Sequence, residues 1–230
     1  MATASSGAFE TSVYNAAGSL YPDRIRVEWS SSQSVANNTS TIYWTVMSAG
    51  GTGSSSRYVM TGPVTVSIAG VTVYSRADRF AMHVGEVLGS GSFTLTHNSD
   101  GTQSFSAWAE AAIYTYAISS TKYDYYVDLP QIPRASSISV SGTTIGSPIT
   151  ISISKAVSSF THTLEYKFGN KSGTIAIKTS SSSVSWIPSR ELARQIPNSW
   201  YGTGTLKCLT YNGGTLIGEK LILYYMFRIV

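Results

Sequence analysis

Charge is scarce in this sequence. Asp, Glu, Lys and Arg make up 12% of its 230 residues, about half the usual share. The formal net charge of +4 is scattered, without a run of Lys or Arg. Nucleic-acid binding rests on a clustered basic footprint, so no nucleic-acid partner is expected. Cysteine is scarcer still. Cys208 is the only one, which excludes an internal disulfide and a zinc site built on several thiolates. No apolar stretch approaches the ~20 residues of a membrane-spanning helix. The opening MATASSGAFETSVYN has neither the basic nor the apolar segment of a secretory signal. A product made and folded in a cytoplasm, without a membrane partner, is the expectation.

What the chain does have is Ser, Thr, Gly and Tyr around regularly spaced apolar residues. That spacing argues against disorder. Residues 23–30 place Ile25, Val27 and Trp29 on one side and Arg24, Arg26 and Glu28 on the other, a half-buried strand. After a turn at Asn37-Asn38, residues 39–47 put Ile42, Trp44 and Val46 inward. Those asparagines open N-x-Ser/Thr sequons, which read here as a polar turn. Residues 48–56 form a Gly/Ser loop. Val64, Val66 and Ile68, then Ala69-Gly70, then Val71 and Val73 read as a hairpin, and residues 75–88 read as irregular. Residues 89–118 show alternation on both sides of Asn98-Ser99-Asp100-Gly101, the pattern of a second hairpin. Residues 122–129 alternate again, with Tyr123, Tyr125, Val127 and Leu129 on one side.

Pro130-Gln131-Ile132-Pro133-Arg134 favours an extended connector and excludes a central strand. The expected organisation is all-β, with two β-sandwich domains. A jelly-roll-like domain covers 1–130, a Pro-rich connector 131–135, and an immunoglobulin-like sandwich 136–230. In the second domain Ile138 and Val140, Ile149, Ile151 and Ile153, Leu164, Tyr166 and Phe168, and Ile175 and Ile177 mark strands. Residues 205–211 and 216–227 close the domain around Asn212-Gly213-Gly214. One short helix is expected between Pro188 and Pro197, with Leu192 and Ile196 four apart.

Few residues suggest chemistry. His97-Asn98-Ser99-Asp100-Gly101 has the look of a metal loop. Asn, Asp and Gly also suit a tight turn, and calcium needs more than one carboxylate. His83, His97 and His162 lack metal-ligand spacing, so no metal or cofactor is expected. Asp23, Glu28, Asp78, Glu86, Asp100, Glu110, Asp124 and Asp128 fall in no motif of paired catalytic carboxylates. Cys208 follows Leu206 at strand spacing, which favours a buried thiol over a nucleophile. No catalytic residue is expected.

The best binding candidate is an aromatic face. Trp108, Glu110, Tyr114 and Tyr116 share parity opposite Phe105, Ala107, Ala109, Ala111 and Ile113, and Tyr126 projects near them from the neighbouring strand. Exposed Trp and Tyr stack against the C–H faces of sugars at low entropic cost. The same face could instead close the core or pack on another subunit, and a bulge near Ala111-Ala112 would split it. Residues 221–230 are apolar on both faces, so a covered edge is expected, within the sandwich or against another copy. A homo-oligomer, or assembly with a larger component, follows.

The elements THNSDGTQSF (96–105), QIPRAS (131–136), WIPSRELARQIPNS (186–199) and CLTYNGGTLIGEK (208–220) resemble minor structural proteins of siphophages infecting Gram-positive bacteria. The likeness keeps the order of these elements from Asn37 to Lys220. It implies a virion-associated, β-rich tail or host-contact module with a structural or adhesive role. Its partners would be other virion proteins, with host cell-wall glycan added if the aromatic face binds sugar. The Ser/Thr/Tyr-rich, cysteine-poor composition is common among virion proteins, which assemble in the host cytosol.

Overall fold

Alternation at period two becomes strand throughout the computed structural model, which describes residues 3–11, 24–50, 57–78, 80–113 and 123–228. In chain order the strands are β1 (Ser6–Glu10), β2 (Arg24–Ser34), β3 (Thr39–Ala49), β4 (Arg57–Ile68), β5 (Val71–Arg76), β6 (Phe80–His83), β7 (Val87–Thr96) and β8 (Ser104–Ile113). They continue with β9 (Tyr123–Asp128), β10 (Ser137–Ser141), β11 (Ile149–Ser154), β12 (Thr161–Phe168), β13 (Lys171–Thr179), β14 (Ser183–Trp186), β15 (Tyr201–Asn212) and β16 (Thr215–Phe227). The chain is all-β and forms sandwiches of antiparallel sheets. It divides into two compact units, one of residues 1–34, 38–98 and 102–131, the other of residues 35–37, 99–101 and 132–230.

The first unit stacks a β1-β2-β3-β7 sheet on a β5-β4-β8-β9 sheet, with β6 also paired to β4. Ile25, Val27 and Trp29 of β2 are buried, as the alternation requires. Their outward neighbours form ion pairs, Arg26 with Glu10 at 2.9 Å and with Glu28 at 2.8 Å. Across the core stand Val64, Val66 and Ile68 of β4, and Ala107, Ala109 and Ala111 of β8. Each larger aliphatic side chain so buried contributes about 1.5–3 kcal/mol. The alanines leave room in a layer ~10 Å thick for Trp29, which meets Phe105 edge-on at 5.1 Å and 84°.

The β4–β5 hairpin closes through Ala69 and Gly70, whose φ values are 54° and 78°. Two positive φ angles in a two-residue loop match the twist of the flanking strands. The expected hairpin around Asn98–Gly101 is absent. β7 pairs with β3, whereas β8 pairs with β4 and β9. The Asx-Gly sequence produces the chain reversal, but the two arms join different sheets. The corner is tied to the first sheet. The Asn38 amide donates to the carbonyls of His97 and Asn98 at 3.1 and 2.9 Å, and Ser40 Oγ sits 2.7 Å from His97 Nε2.

Residues 75–88 are more ordered than alternation suggests, because they contain β6 and the ends of β5 and β7. A bulge lies on β4 rather than at Ala111-Ala112. Between the pairs Met60–Ile113 and Val64–Ala111, residues 61–63 face one residue of β8. Pro63 has no N–H for the ladder, which suits it to this place. Residues 48 and 49 belong to β3, and residues 51–56 of the expected Gly/Ser loop lie outside the described residues.

The second unit packs a β10-β11-β14 sheet on a β13-β12-β15-β16 sheet, an immunoglobulin-like arrangement of seven strands. Ile149, Ile151, Leu164, Phe168, Leu206, Cys208 and Met226 fill its core. β15 and β16 meet through Gly213-Gly214, with φ values of 55° and 93°. Two elements of this unit differ from the sequence pattern. Ile175 and Ile177 do not share a face, since register shifts against β12 leave Ile175 against the core and Ile177 76% exposed. The expected helix is a six-residue 3-10 helix, Arg190–Gln195. Ser189 caps its start by accepting from the Glu191 N–H, and the proline at 197 leaves no room for another turn.

Candidate functional site

β8 is buried once where it is described. Phe105, Ala107, Ala109 and Ala111 line the core, while Ser106, Trp108 and Glu110 face away from it. Strand pairing sets their neighbours. Trp108 lies between Ser67 of β4 and Asp124 of β9, Glu110 lies opposite Thr65, and Ser106 lies opposite Tyr126. Tyr126 is therefore diagonal to Trp108, a spacing of about 7–8 Å that aromatic side chains bridge. Trp108 and Glu110 are half-buried, and Tyr126 is 60% exposed. Because the bulge sits on β4, the parity of β8 runs unbroken to Ala111. The structure thus brings Trp108, Glu110 and Tyr126 onto one face. Tyr114 and Tyr116 lie outside the described residues.

The same parity carries the face two residues further, to Ser104 opposite Asp128. There it opens into a groove of about 390 Å³ lined by Thr3, Asn98, Thr102, Gln103, Ser104, Asp128, Leu129 and Gln131. Amides, hydroxyls and one carboxylate dominate that lining, beside an aromatic platform. Such a surface stacks the apolar side of a ring and takes hydrogen bonds from its edge. The groove was missed in the sequence. Extending the outward parity of β8 and β9 by one step would have reached Ser104 and Asp128. Asn98 and Thr102 come from the corner mistaken for a hairpin.

Several of the remaining candidates have structural partners. His97 is buried against Ser40, and His162 is buried with Nε2 2.8 Å from Ser136 Oγ. Burial, helped by the Lys155 ammonium, holds His162 below its ordinary pKa, while the Thr179 backbone acts in the opposite sense. Among the described residues no group of three or more His, Cys, Asp or Glu is placed to hold a metal ion. Glu28 pairs with Arg26, and Glu86 accepts from the His83 backbone N–H at 2.8 Å. Cys208 is fully buried, and its thiol is pushed up to about 11 by that burial, against a smaller opposing hydrogen bond with Thr210. Asp23 lies outside the described residues. Among the described residues no helix is long and apolar enough to cross a membrane.

None of the curated proteins matches the chain. A two-domain fibronectin type III segment of chicken tenascin is similar at 11% identity, covering 85% of this chain and 96% of that one with a TM-score of 0.33. Murine CEACAM1b is similar at 11% identity, over 84% of this chain and 94% of that one, with a TM-score of 0.29. Likeness of this degree says nothing about what the chain binds. The sequence itself is more informative: the family described as siphovirus protein of unknown function (DUF859) matches residues 16–227, nearly the whole length, and the chain belongs to that family.

Proposed function

We propose that this siphophage protein is a structural component of the virion, in the tail or host-contact apparatus, and that it works by contact without catalysis. Membership of a siphovirus family over residues 16–227 carries the proposal. Two β-sandwich units suit it, because rigid sheets hold surface side chains at fixed spacings. Mass spectrometry and immunogold labelling of purified virions test it. The protein is expected at stoichiometric copy number on the tail, and its absence from particles would overturn the assignment.

A second reading makes the first unit a receptor-binding module for cell-wall glycans of a Gram-positive host. The juxtaposition of Trp108 and Tyr126 with Glu110, Asp124 and the amide-lined groove favours it. Stacking a sugar on an aromatic ring is worth on the order of 1 kcal/mol per contact. Tight adhesion would therefore come from repeated copies on one particle. A glycan array with the full chain decides the matter. Binding is expected to fall about tenfold in the Trp108→Ala/Tyr126→Ala double variant and in Asp128→Asn, with melting temperature retained in the latter. Unchanged binding in both variants would remove this surface from consideration.

A further inference from the structure

β16 is the last strand of its sheet, and its two faces differ. Tyr224 and Met226 point into the core, while Leu221, Leu223, Tyr225 and Phe227 point outward and are 55%, 69%, 56% and 39% exposed. Tyr201 of β15 lies directly across from Phe227, and Trp200 precedes it. These two are 47% and 68% exposed. The Tyr201 ring stands 6.4 Å from that of Tyr225 and 6.0 Å from that of Phe227, so these three rings form one patch that Leu223 and Leu221 extend along the same face. No charged residue interrupts strand β16 between Leu221 and Phe227. The Lys207–Glu219 ion pair, at 2.9 Å, borders its leucine end.

The size of the patch points to its occupant. Three aromatic side chains of about 150–250 Å² and two leucines, roughly half exposed, give on the order of 500 Å² of apolar surface, in the upper part of what a monomer shows. Two such patches in contact would bury about 1,000 Å² in total, the area at which a specific protein interface becomes possible. A sugar ring would cover only a fraction of it. The patch also fits itself. A two-fold contact uses the same surface on both partners. This row runs from two leucines to two aromatics, so an antiparallel crossing seats the leucines of one copy against the rings of the other. Among the described residues no strand pairs with the outer edge of β16 from Thr215 to Met226, and only Phe227 is tied down there, by backbone bonds with Thr143 and Ile145. Long uncovered apolar edges are a liability that proteins otherwise manage.

We propose that two copies of this chain pack the outward faces of β15 and β16 against each other. The pairing is independent of the Trp108 surface, which belongs to the first unit. Sedimentation velocity of the full chain across micromolar concentrations tests it. The wild type is expected as a dimer, and Leu223→Lys is expected to weaken association at least tenfold with its melting temperature unchanged. Tyr225→Ser should act in the same direction, which covers the case that the lysine disturbs folding, while Tyr126→Ala should leave the dimer intact. A wild type that stays monomeric over this range overturns the proposal, as does a dimer that survives both β16 variants. A monomer that still binds soluble cell-wall polysaccharide in the Trp108→Ala/Tyr126→Ala background, and loses that binding when Trp200→Ala is added, also overturns it and assigns the patch to glycan.

Discussion

Cys208 shows how much a single position can be read from its neighbours. It follows Leu206 at strand spacing and lies opposite Leu164, so it faces the same core as both. Burial disfavours the thiolate and raises the thiol to about 11, while thiol chemistry needs the thiolate. Native protein at mildly alkaline pH should therefore leave a disulfide reagent such as Ellman's essentially unconsumed, and one equivalent should react in denaturant. Rapid titration of the native thiol would contradict the packing described here. His162 was less legible than Cys208. Its immediate neighbours are threonines, which do not reveal which side of β12 is inward. Its burial depends on Ser136, 26 positions away, which no local pattern links to it.

Elements were legible where their geometry is local. Ala69-Gly70 and Gly213-Gly214 each close a hairpin through positive φ angles, which the glycines supply freely. The reversal at Asn98–Gly101 was equally visible, but the identity of the pairing strands was not. Alternation in β7 and β8 specifies inward and outward sides, and is the same whether the arms pair or diverge into two sheets. The splitting of Ile175 from Ile177 was hidden for a related reason, because a bulge is set by the partner strand. One turn remains improvable. Ala69 holds φ 54° with a Cβ, in a region where L-residues other than Gly, Asn and Asp are disfavoured by roughly 1 kcal/mol. Ala69→Asn should keep the backbone bond to Ser106, 2.8 Å long, and stabilise the first unit by about 0.5–1 kcal/mol. Gly70→Ala meets no neighbour within 4 Å and suffers only from its φ of 78°, so it should destabilise. Paired urea melts of the two variants should shift in opposite directions, and parallel shifts would contradict the turn geometry.

At the scale of the molecule, each unit has its own buried core and its own outward aromatic surface. The Trp108 face was legible because parity along one strand suffices to place it. Exposure of the β16 face was not, because a strand apolar on both sides reads as buried twice. The units also differ in a way that acid should reveal. In the second unit His162 is fully buried beside Ser136, and its folded pKa lies below the ordinary 6.5. Above that value the ring is neutral in both folded and unfolded chains, and its packing contributes fully. As the pH falls through 6.5 the unfolded chain takes up the proton first, so stability is lost progressively until the folded pKa is passed. Urea melts followed by the exposure of Cys208 to a thiol reagent, which reports the opening of this core, should show the second unit weakening as the pH falls below about 6.5. In His162→Gln, whose side-chain amide can still reach Ser136 but does not titrate, the midpoint should start lower and change less over the same fall in pH. Equal pH dependence in wild type and variant would mean that His162 is not the group through which acid acts, and that its ring takes up a proton without leaving the core.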